Sequence, residues 1–537
     1  EKITQKGSKT PVLNPEQKSA FERLCELADS GEAHGALLHG ITGSGKTSVM
    51  LAAIDLALSL GRGVIVMLPE IALTPQTLSI FCARYGEDVA LLHSGMSAGE
   101  RQDSYNRIKN GAARLVIGTR SAIFAPTRNL GLVIIDEEQE HTYKSDSSPR
   151  YHARDIARLR CAEKKALMLL ASATPSLESR KKAEDGAYTL IRLTKRYGNA
   201  VLPEVVVADM RGEARTGNLT PIGAELSAAL VETFERGEQS ILFLNRRGNS
   251  RAMVCIDCRK SPECPRCSNR LTFHSANRRL MCHYCGHSQR TVERCPECGG
   301  PLKPLGVGTQ KIQEALEFEF PDTEVLRMDA DAVSAVNTHE KLLDRFKNEK
   351  IPILIGTQMV AKGLNLPDVT LVGVLDADLS LYADSYRAAE TTFNMLTQVV
   401  GRAGRGARPG RAVIQTLVPE HRILNLAARQ DYDSFYDNEI IIRKAMVYPP
   451  YCDMCSVCFV SENEIYAPVA MDAYFNSTTG CSYIYNGTYW VMLAKAGADG
   501  LDGIDGMDGT DGEDGTSINW RGSHSSANDV YNPQYMD

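Results

Sequence analysis

Eight residues, Gly40-Ile41-Thr42-Gly43-Ser44-Gly45-Lys46-Thr47, follow the spacing G-x-x-x-x-G-K-[ST]. Glycines at those places let successive backbone N–H groups wrap phosphate oxygens at the start of a helix. Lys46 is then set to neutralise β- and γ-phosphates, and Thr47 to hold Mg²⁺. Further on, the apolar run Leu132-Val133-Ile134-Ile135 ends in Asp136-Glu137-Glu138-Gln139. Asp136 suits a second Mg²⁺ ligand, and Glu137 suits the base that orients and activates an attacking water. A third group is Gln398-Val399-Val400-Gly401-Arg402-Ala403-Gly404-Arg405. Its two arginines, spaced i, i+3, are expected on one helical face. From there they can point into a cleft and stabilise charge on a transferring phosphoryl group. The chemistry implied is hydrolysis of ATP with Mg²⁺.

A different chemistry lies between the second and third groups. The chain has fifteen cysteines, and eight of them form four C-x-x-C pairs: Cys255/Cys258, Cys264/Cys267, Cys282/Cys285 and Cys295/Cys298. Each pair supplies two thiolates, half of a tetrahedral Cys₄ site, so eight thiolates imply two Zn²⁺. The spacing allows sequential or nested pairing of the four pairs. The intervening loops are polar, and metal is expected to replace a core there. Cys452, Cys455 and Cys458 share the spacing but read as small apolar residues of a strand.

These groups need rigid supports. Short, wholly apolar runs at 36–39, 64–68, 115–117, 132–135 and 166–170 alternate with helical patterns. The alternation predicts a parallel sheet covered on both faces, with ligands beyond the carboxyl ends of its strands. The pattern returns at 240–244, 353–355, 371–375 and 412–414, which predicts a second such lobe interrupted by the cysteine-rich stretch. The net charge of −6 is uneven. Residues 246–303 hold twelve Lys/Arg against four Asp/Glu, whereas residues 497–515 hold seven acids and no base. A basic module on a balanced body is a phosphate-binding footprint. No apolar run reaches the roughly 18 residues needed to span a bilayer, and no signal peptide is evident, so a cytoplasmic location is expected.

Taken together, the motifs resemble superfamily 2 helicases, and more closely the bacterial replication-restart family, primosomal protein N-prime or PriA. The resemblance rests on Pro69-Glu70-Ile71-Ala72-Leu73-Thr74-Pro75-Gln76, Gly118-Thr119-Arg120-Ser121-Ala122, Asp136-Glu137-Glu138-Gln139 and Ala171-Ser172-Ala173-Thr174-Pro175. It continues through Phe243-Leu244-Asn245-Arg246-Arg247-Gly248, Gly356-Thr357-Gln358-Met359-Val360-Ala361-Lys362-Gly363 and the arginine pair. It covers about residues 10–464. It implies two RecA-like lobes with a double-zinc insert in the second. The implied activity is ATP-dependent 3′→5′ unwinding of DNA in replication restart, with single-stranded and forked DNA, primosome proteins and single-strand-binding protein as partners in a bacterial cytoplasm.

The resemblance also implies roles for residues. Gln17 would face adenine. Thr119, Arg120, Ser121, Arg246, Arg247, Thr357 and Gln358 would meet DNA. Tyr143, Lys144, Tyr151 and Arg154 belong to an aromatic-rich loop in which rings stack on bases and cations meet phosphates. The resemblance implies nested zinc pairing, with Cys255, Cys258, Cys295 and Cys298 as the outer site. An N-terminal domain binding DNA 3′ ends is expected to be missing, and the C-terminal domain to stop soon after Tyr451.

The expected domains are therefore a first lobe at 1–200, the second lobe at 201–253 and 304–440, the insert at 254–303, a truncated C-terminal domain at 441–464 and an unrelated tail at 465–537. In that tail, Gly497, Gly500, Gly503, Gly506, Gly509, Gly512 and Gly515 form a collagen-like G-x-y repeat. Its flanks resemble phage tail-fibre pieces, and it reads as joined on from elsewhere. Two other functions fit parts of the sequence: a duplex-DNA translocase or RNA helicase shares the nucleotide motifs, and a fibrous binding protein fits the tail alone.

Overall fold

The computed structural model describes residues 12–69, 75–145, 147–196, 202–215, 220–244, 251–255, 257–258, 260–265, 271–274, 279–281, 287–304, 309–328, 338–357, 366, 368–383, 385–404, 408–457, 471–476, 481–485 and 490–495. The first lobe contains strands β1 (His34–Gly40), β2 (Gly63–Met67), β3 (Val89–Leu92), β4 (Leu115–Gly118), β5 (Leu130–Asp136), β6 (Leu167–Ser172) and β7 (Thr189–Leu193). Its helices are α1 (Pro15–Asp29), α2 (Lys46–Ser59), α3 (Pro75–Tyr85), α4 (Ala98–Asn110), α5 (Ala153–Lys164) and α6 (Leu177–Glu184). The strands run parallel in the order β3-β4-β2-β5-β6-β1-β7. Two apolar clusters, one around Leu38, Val66 and Ile134 and one around Leu37, Ile65 and Val133, alternate along the same strands. Both faces are therefore buried, which is why these strands are apolar without a polar side.

The second lobe repeats the plan. It comprises β8 (Glu204–Asp209), β9 (Gln239–Leu244), then, after the insert, β15 (Val325–Met328), β16 (Ile353–Gly356), β17 (Val369–Leu375) and β18 (Arg411–Thr416). They are parallel in the order β15-β16-β9-β17-β18-β8. Helices α7 (Arg211–Arg215), α8 (Ala224–Glu235), α9 (Thr309–Glu319), α10 (Thr338–Asn348), α11 (Ala388–Val400), α12 (Arg422–Ala428) and α13 (Tyr432–Ala445) complete it. The insert is an antiparallel sheet of β10 (Arg251–Cys255), β11 (Thr272–His274), β12 (Arg279–Met281), β13 (Ser288–Arg290) and β14 (Leu302–Pro304). Because β10 pairs with β14, Cys255 opposite Leu302, the chain leaves the insert beside the place where it came in. Gly299, at φ 72°, supplies the left-handed turn before that return. The insert also has a small apolar cluster of its own, including Met253, Leu271, Leu280 and Leu302, where only metal was expected.

The lobes are joined by a dense seam. Leu177, the first residue of α6, buries its side chain in the second lobe's core, and its N–H donates to Glu390 Oε1 at 3.1 Å. Arg443, fully buried, pairs with Glu390 at 3.0 Å and Glu439 at 3.2 Å, donates to Pro449 O, and lies 4.8 Å from the Tyr386 ring centroid. Arg387 pairs with Glu178, Arg192 with Asp433, and the Tyr432 hydroxyl donates to Pro175 O at 2.7 Å. The Tyr432 ring meets His39 edge to face at 4.8 Å.

Beyond α13 the structure departs from the expected irregular tail. β19 (Asp453–Val457), β20 (Met471–Asn476), β21 (Cys481–Tyr485) and β22 (Trp490–Lys495) form an antiparallel meander, so one sheet crosses the boundary drawn at residue 465. Cys452 is buried, with its thiol donating to Val447 O, as a small apolar residue would sit. The G-x-y repeat lies outside the described residues. Among the described residues, no helix is long and apolar enough to cross a membrane.

Candidate functional site: a nucleotide cleft between two lobes

The phosphate loop leaves β1, which lies between β6 and β7. Gly43 and Gly45 take φ of 81° and 80°, a conformation that side chains oppose. No side-chain hydrogen bond caps α2, whose N-terminus is the kind of place that favours an anion. Ile41 N–H donates to Leu193 O, and Lys46 Nζ donates to Gly40 O at 2.8 Å. Ser44 is buried, while Gly43 and Thr47 are exposed and Thr42 is half-buried. Gln17 departs from expectation. It is fully buried: its amide nitrogen donates to Ser44 O at 2.9 Å, and its oxygen accepts from Asn14 N–H at 3.0 Å. In this arrangement Gln17 braces the loop from behind rather than presenting an open edge to a base.

At the end of β5 the consecutive acids separate. Asp136 accepts from Glu137 N–H, and burial, with the neighbouring Glu137 charge, pushes its carboxyl up to about 7 while Lys46 pulls it down. A buried carboxylate and a hydroxyl are hard oxygen donors, a set that suits Mg²⁺. Glu137, at φ 47°, turns toward the cleft. Its Oε2 accepts from Gln139 Nε2 at 2.7 Å and from Gln398 Nε2 of the second lobe at 3.3 Å. Gln139 in turn accepts from Ser172 Oγ, which also accepts from Thr174 N–H. Glu138 points inward and is buried among four donors: Ser176 N–H, Ser176 Oγ, Ser179 Oγ and Arg154 Nη1. Its role as the staple beneath the cleft went unread. The available signal was its place in a run of acids leaving a strand, where successive side chains face opposite ways.

The second lobe touches the loop directly. A methyl group added at Gly401 would lie 2.8 Å from Thr42 Cγ2. α11 ends at Val400 and residues 401–404 form a turn, so Arg402 is not helical as expected. Arg402 is half-buried in that turn, and Arg405 lies outside the described residues.

The expected DNA contacts divide. Ser121 and Lys144 are exposed, and Arg120 is half-buried with its guanidinium donating to Lys144 O at 2.7 Å. Tyr151 is half-buried and edge to face with Phe124. Thr119 is buried at the end of β4, and Thr357 half-buried at the end of β16. Two members of the loop are corrections. Tyr143 is buried, its hydroxyl donating to Met67 O and Asp136 O, so its ring offers no stacking face. Arg154 is committed to Glu138, Ser176 and Ser179 and has no free reach to a phosphate. Arg246, Arg247 and Gln358 lie outside the described residues.

In the insert, Cys255, Cys258, Cys295 and Cys298 bring their sulfurs within 4.8 Å of one another. Zn–S bonds of about 2.3 Å in a tetrahedron set sulfurs about 3.8 Å apart, so the four thiols fit zinc. The Gly300 N–H lowers Cys298 to about 7, whereas burial raises Cys258 to about 12. Cys264 is buried nearby, and Cys267, Cys282 and Cys285 lie outside the described residues.

Three family models match: DEAD/DEAH box helicase over residues 14–183, the helicase conserved C-terminal domain over 308–407, and the PriA DNA helicase Cys-rich region over 264–290. The chain is 46% identical to the replication restart protein PriA of Bacillus subtilis, covering 87% of this chain and 58% of the relative. For that of Synechocystis the identity is 42%, with 85% and 56% covered. For that of Treponema pallidum it is 40%, with 84% and 68% covered. The chain thus spans little more than half the length of the first two relatives.

Proposed function

Since this chain belongs to the PriA replication-restart helicase family, we propose that it is an ATP-dependent DNA helicase moving 3′→5′ on single-stranded DNA. The observation that carries the reading is the cleft itself. A carboxylate from one lobe meets Gln398 from the other, while Gly401 presses on the phosphate loop. A site divided in this way couples hydrolysis to the relative position of the lobes.

In this reading Lys46 and the backbone N–H groups of Gly40 to Thr47 hold the β- and γ-phosphates. Thr47 and Asp136 hold Mg²⁺, which neutralises charge on the phosphates when bound. Glu137 orients the attacking water and takes its proton, and Gln398 fixes the Glu137 carboxylate. Arg402 and Arg405 face the γ-phosphate. Ser121, Lys144, Tyr151, Arg120, Arg246, Arg247, Thr357 and Gln358 track the DNA. Cys255, Cys258, Cys295 and Cys298 hold one Zn²⁺, and Cys264, Cys267, Cys282 and Cys285 a second. Forked DNA, primosome proteins and single-strand-binding protein are the partners, in the bacterial cytoplasm.

The test is ATP hydrolysis with and without single-stranded DNA, together with strand displacement on 3′-tailed DNA and RNA duplexes. DNA-stimulated turnover with displacement of DNA is expected. Equal stimulation and displacement by RNA would replace the DNA reading with an RNA one. Metal content tests the insert. Cys255→Ser together with Cys298→Ser should remove one zinc of the two, and loss of both would reject nested pairing.

A further inference from the structure

Two branches of the first lobe lead to the nucleotide. In the phosphate branch, His39 and Gly40 end β1, and Gly40 O accepts from Lys46 Nζ at 2.8 Å. In the water branch, Thr174 N–H donates to Ser172 Oγ, Ser172 Oγ to Gln139, and Gln139 Nε2 to the Glu137 carboxylate at 2.7 Å. One side chain packed in the second lobe's core touches the root of both. Tyr432, the first residue of α13, is 5% exposed. Its ring meets the His39 ring edge to face at 4.8 Å, and its hydroxyl donates at 2.7 Å to Pro175 O, one residue past Thr174.

Both contacts are closed in. His39 is buried, and among the described residues its Nδ1 takes no hydrogen bond, so ring packing orients this side chain. The bond from Tyr432 to Pro175 is buried as well. The start of α13 is itself fixed to the first lobe, because Asp433 pairs with Arg192 of β7 and the Tyr436 hydroxyl donates to Glu184 of α6 at 2.9 Å.

We infer that Tyr432 is a positioning residue for ATP hydrolysis: its ring sets the end of β1 behind Lys46, and its hydroxyl sets the turn that holds Gln139 on Glu137. It touches no reacting atom. This rests on the ATP-motor reading above and adds to it a side chain of α13 that acts from behind the site. A close-packed interior transmits small shifts, and reacting groups tolerate little misplacement, so a movement of α13 reaches the phosphate and water branches together.

The experiment measures kcat and KM for ATP on the full chain with saturating single-stranded DNA, beside equilibrium binding of ATP and urea unfolding. Tyr432→Phe keeps the ring on His39 and removes the hydroxyl from Pro175. Its kcat should fall about tenfold at unchanged ATP affinity, the worth of one hydrogen bond that orients the water branch alone. His39→Leu keeps apolar bulk at the end of β1 and removes the ring contact. It should weaken ATP binding about threefold and hold kcat within about twofold at saturating ATP, the worth of one aromatic pair. Tyr436→Phe removes a hydroxyl from the same helix and hydrogen-bonds to neither branch. It should lower the urea midpoint and leave kcat and ATP affinity at wild-type values. A purely structural Tyr432 would lower the midpoint without this split between kcat and affinity. Wild-type kcat in Tyr432→Phe, wild-type ATP affinity in His39→Leu, or an equal loss of turnover in Tyr436→Phe overturns the inference and leaves the motor reading intact. If Tyr432→Phe does not fold, His39→Leu decides alone. A wild-type chain that hydrolyses no ATP overturns the motor reading, and this inference with it.

Discussion

At the mouth of the cleft the second lobe reaches the first through Gln398, 3.3 Å from Glu137, and through Gly401 against Thr42. At the seam below, the same two lobes meet through Glu390 on the N–H of Leu177, Tyr432 on Pro175 and Arg387 on Glu178, while Arg443 holds Glu390 and Glu439 from within the second lobe. At the mouth Glu137 and Thr42 are half-buried, and among the described residues one hydrogen bond, at 3.3 Å, crosses it. At the seam Arg443, Glu390 and Glu439 are buried and paired, while Arg387, paired with Glu178, is partly exposed. A contact of the first kind is made and broken at small cost, whereas breaking the second leaves buried charges unpaired. The lobes are therefore held at the seam and free to work at the mouth. The pair Glu137 and Glu138 shows the same division one residue apart, since one carboxylate is offered to the cleft and the other is locked beneath it.

Substitutions at the two places should separate turnover from stability. The largest effect is expected for Glu137→Gln, which keeps the hydrogen-bonding shape and loses the base. DNA-stimulated hydrolysis should fall about 10²–10⁴-fold with ATP still bound. An equal loss of ATP affinity, read by equilibrium binding, would remove Glu137 from that role. Lys46→Ala, by contrast, should lose turnover and affinity together.

Arg443→Met should leave Glu390 and Glu439 buried without their cation and cost about 3–5 kcal/mol of stability. Urea unfolding measures this. A midpoint within error of wild type would show that the seam is not the anchor.

The seam also carries a pH dependence. Burial holds His39 down at about 4 from 6.5, assisted by Arg192, Lys46 and Arg180 and opposed by Asp433. The folded protein keeps His39 neutral while the unfolded chain takes up a proton below its ordinary value. Stability from this group is therefore complete above about pH 6.5 and is lost as the pH falls toward 4, by about 2 kcal/mol at about pH 5. His152, likewise held at about 4 by burial, adds to the same loss. His39→Phe should flatten the slope of unfolding midpoint against pH over that range, and an unchanged slope would assign the dependence elsewhere.

The smallest effect is expected at the mouth's own bond. Gln398→Ala should lower turnover about tenfold and leave the urea midpoint unchanged, as one hydrogen bond to a charged group is worth roughly 1.5–3 kcal/mol and this one is long. A midpoint shift as large as that of Arg443→Met would erase the distinction between mouth and seam.

Much of this was legible in the chain. The apolar runs at 64–68 and 371–375 became β2 and β17 because a strand buried on both faces has no polar positions to confuse the pattern. The outer cysteine pairs met because C-x-x-C spacing already aims both thiols to one side. Tyr143 and Arg154 were misread. Their types suit DNA, but which way a loop side chain turns depends on what lies behind it, and behind these lie Asp136 and Glu138. The helical reading of Arg402 failed because Gly401 ends α11 two residues after Val399, and a helix end is decided by what the turn packs on.

By itself the sequence determined the phosphate loop, the acid-ended strand, the metal-binding pairs and the two alternating lobes. Each is written in a contiguous run whose chemistry is local. Only the tertiary structure decided that Glu137 faces the second lobe while Glu138 is a buried staple, that Gln17 braces the loop, and that Glu390, paired with Arg443, receives the N–H of Leu177 at the start of α6. Those outcomes depend on burial and on partners 16 to 261 residues away along the chain, such as Arg154 for Glu138 and Gln398 for Glu137. Local residue type and spacing carry no information about which distant group will occupy the same desolvated space.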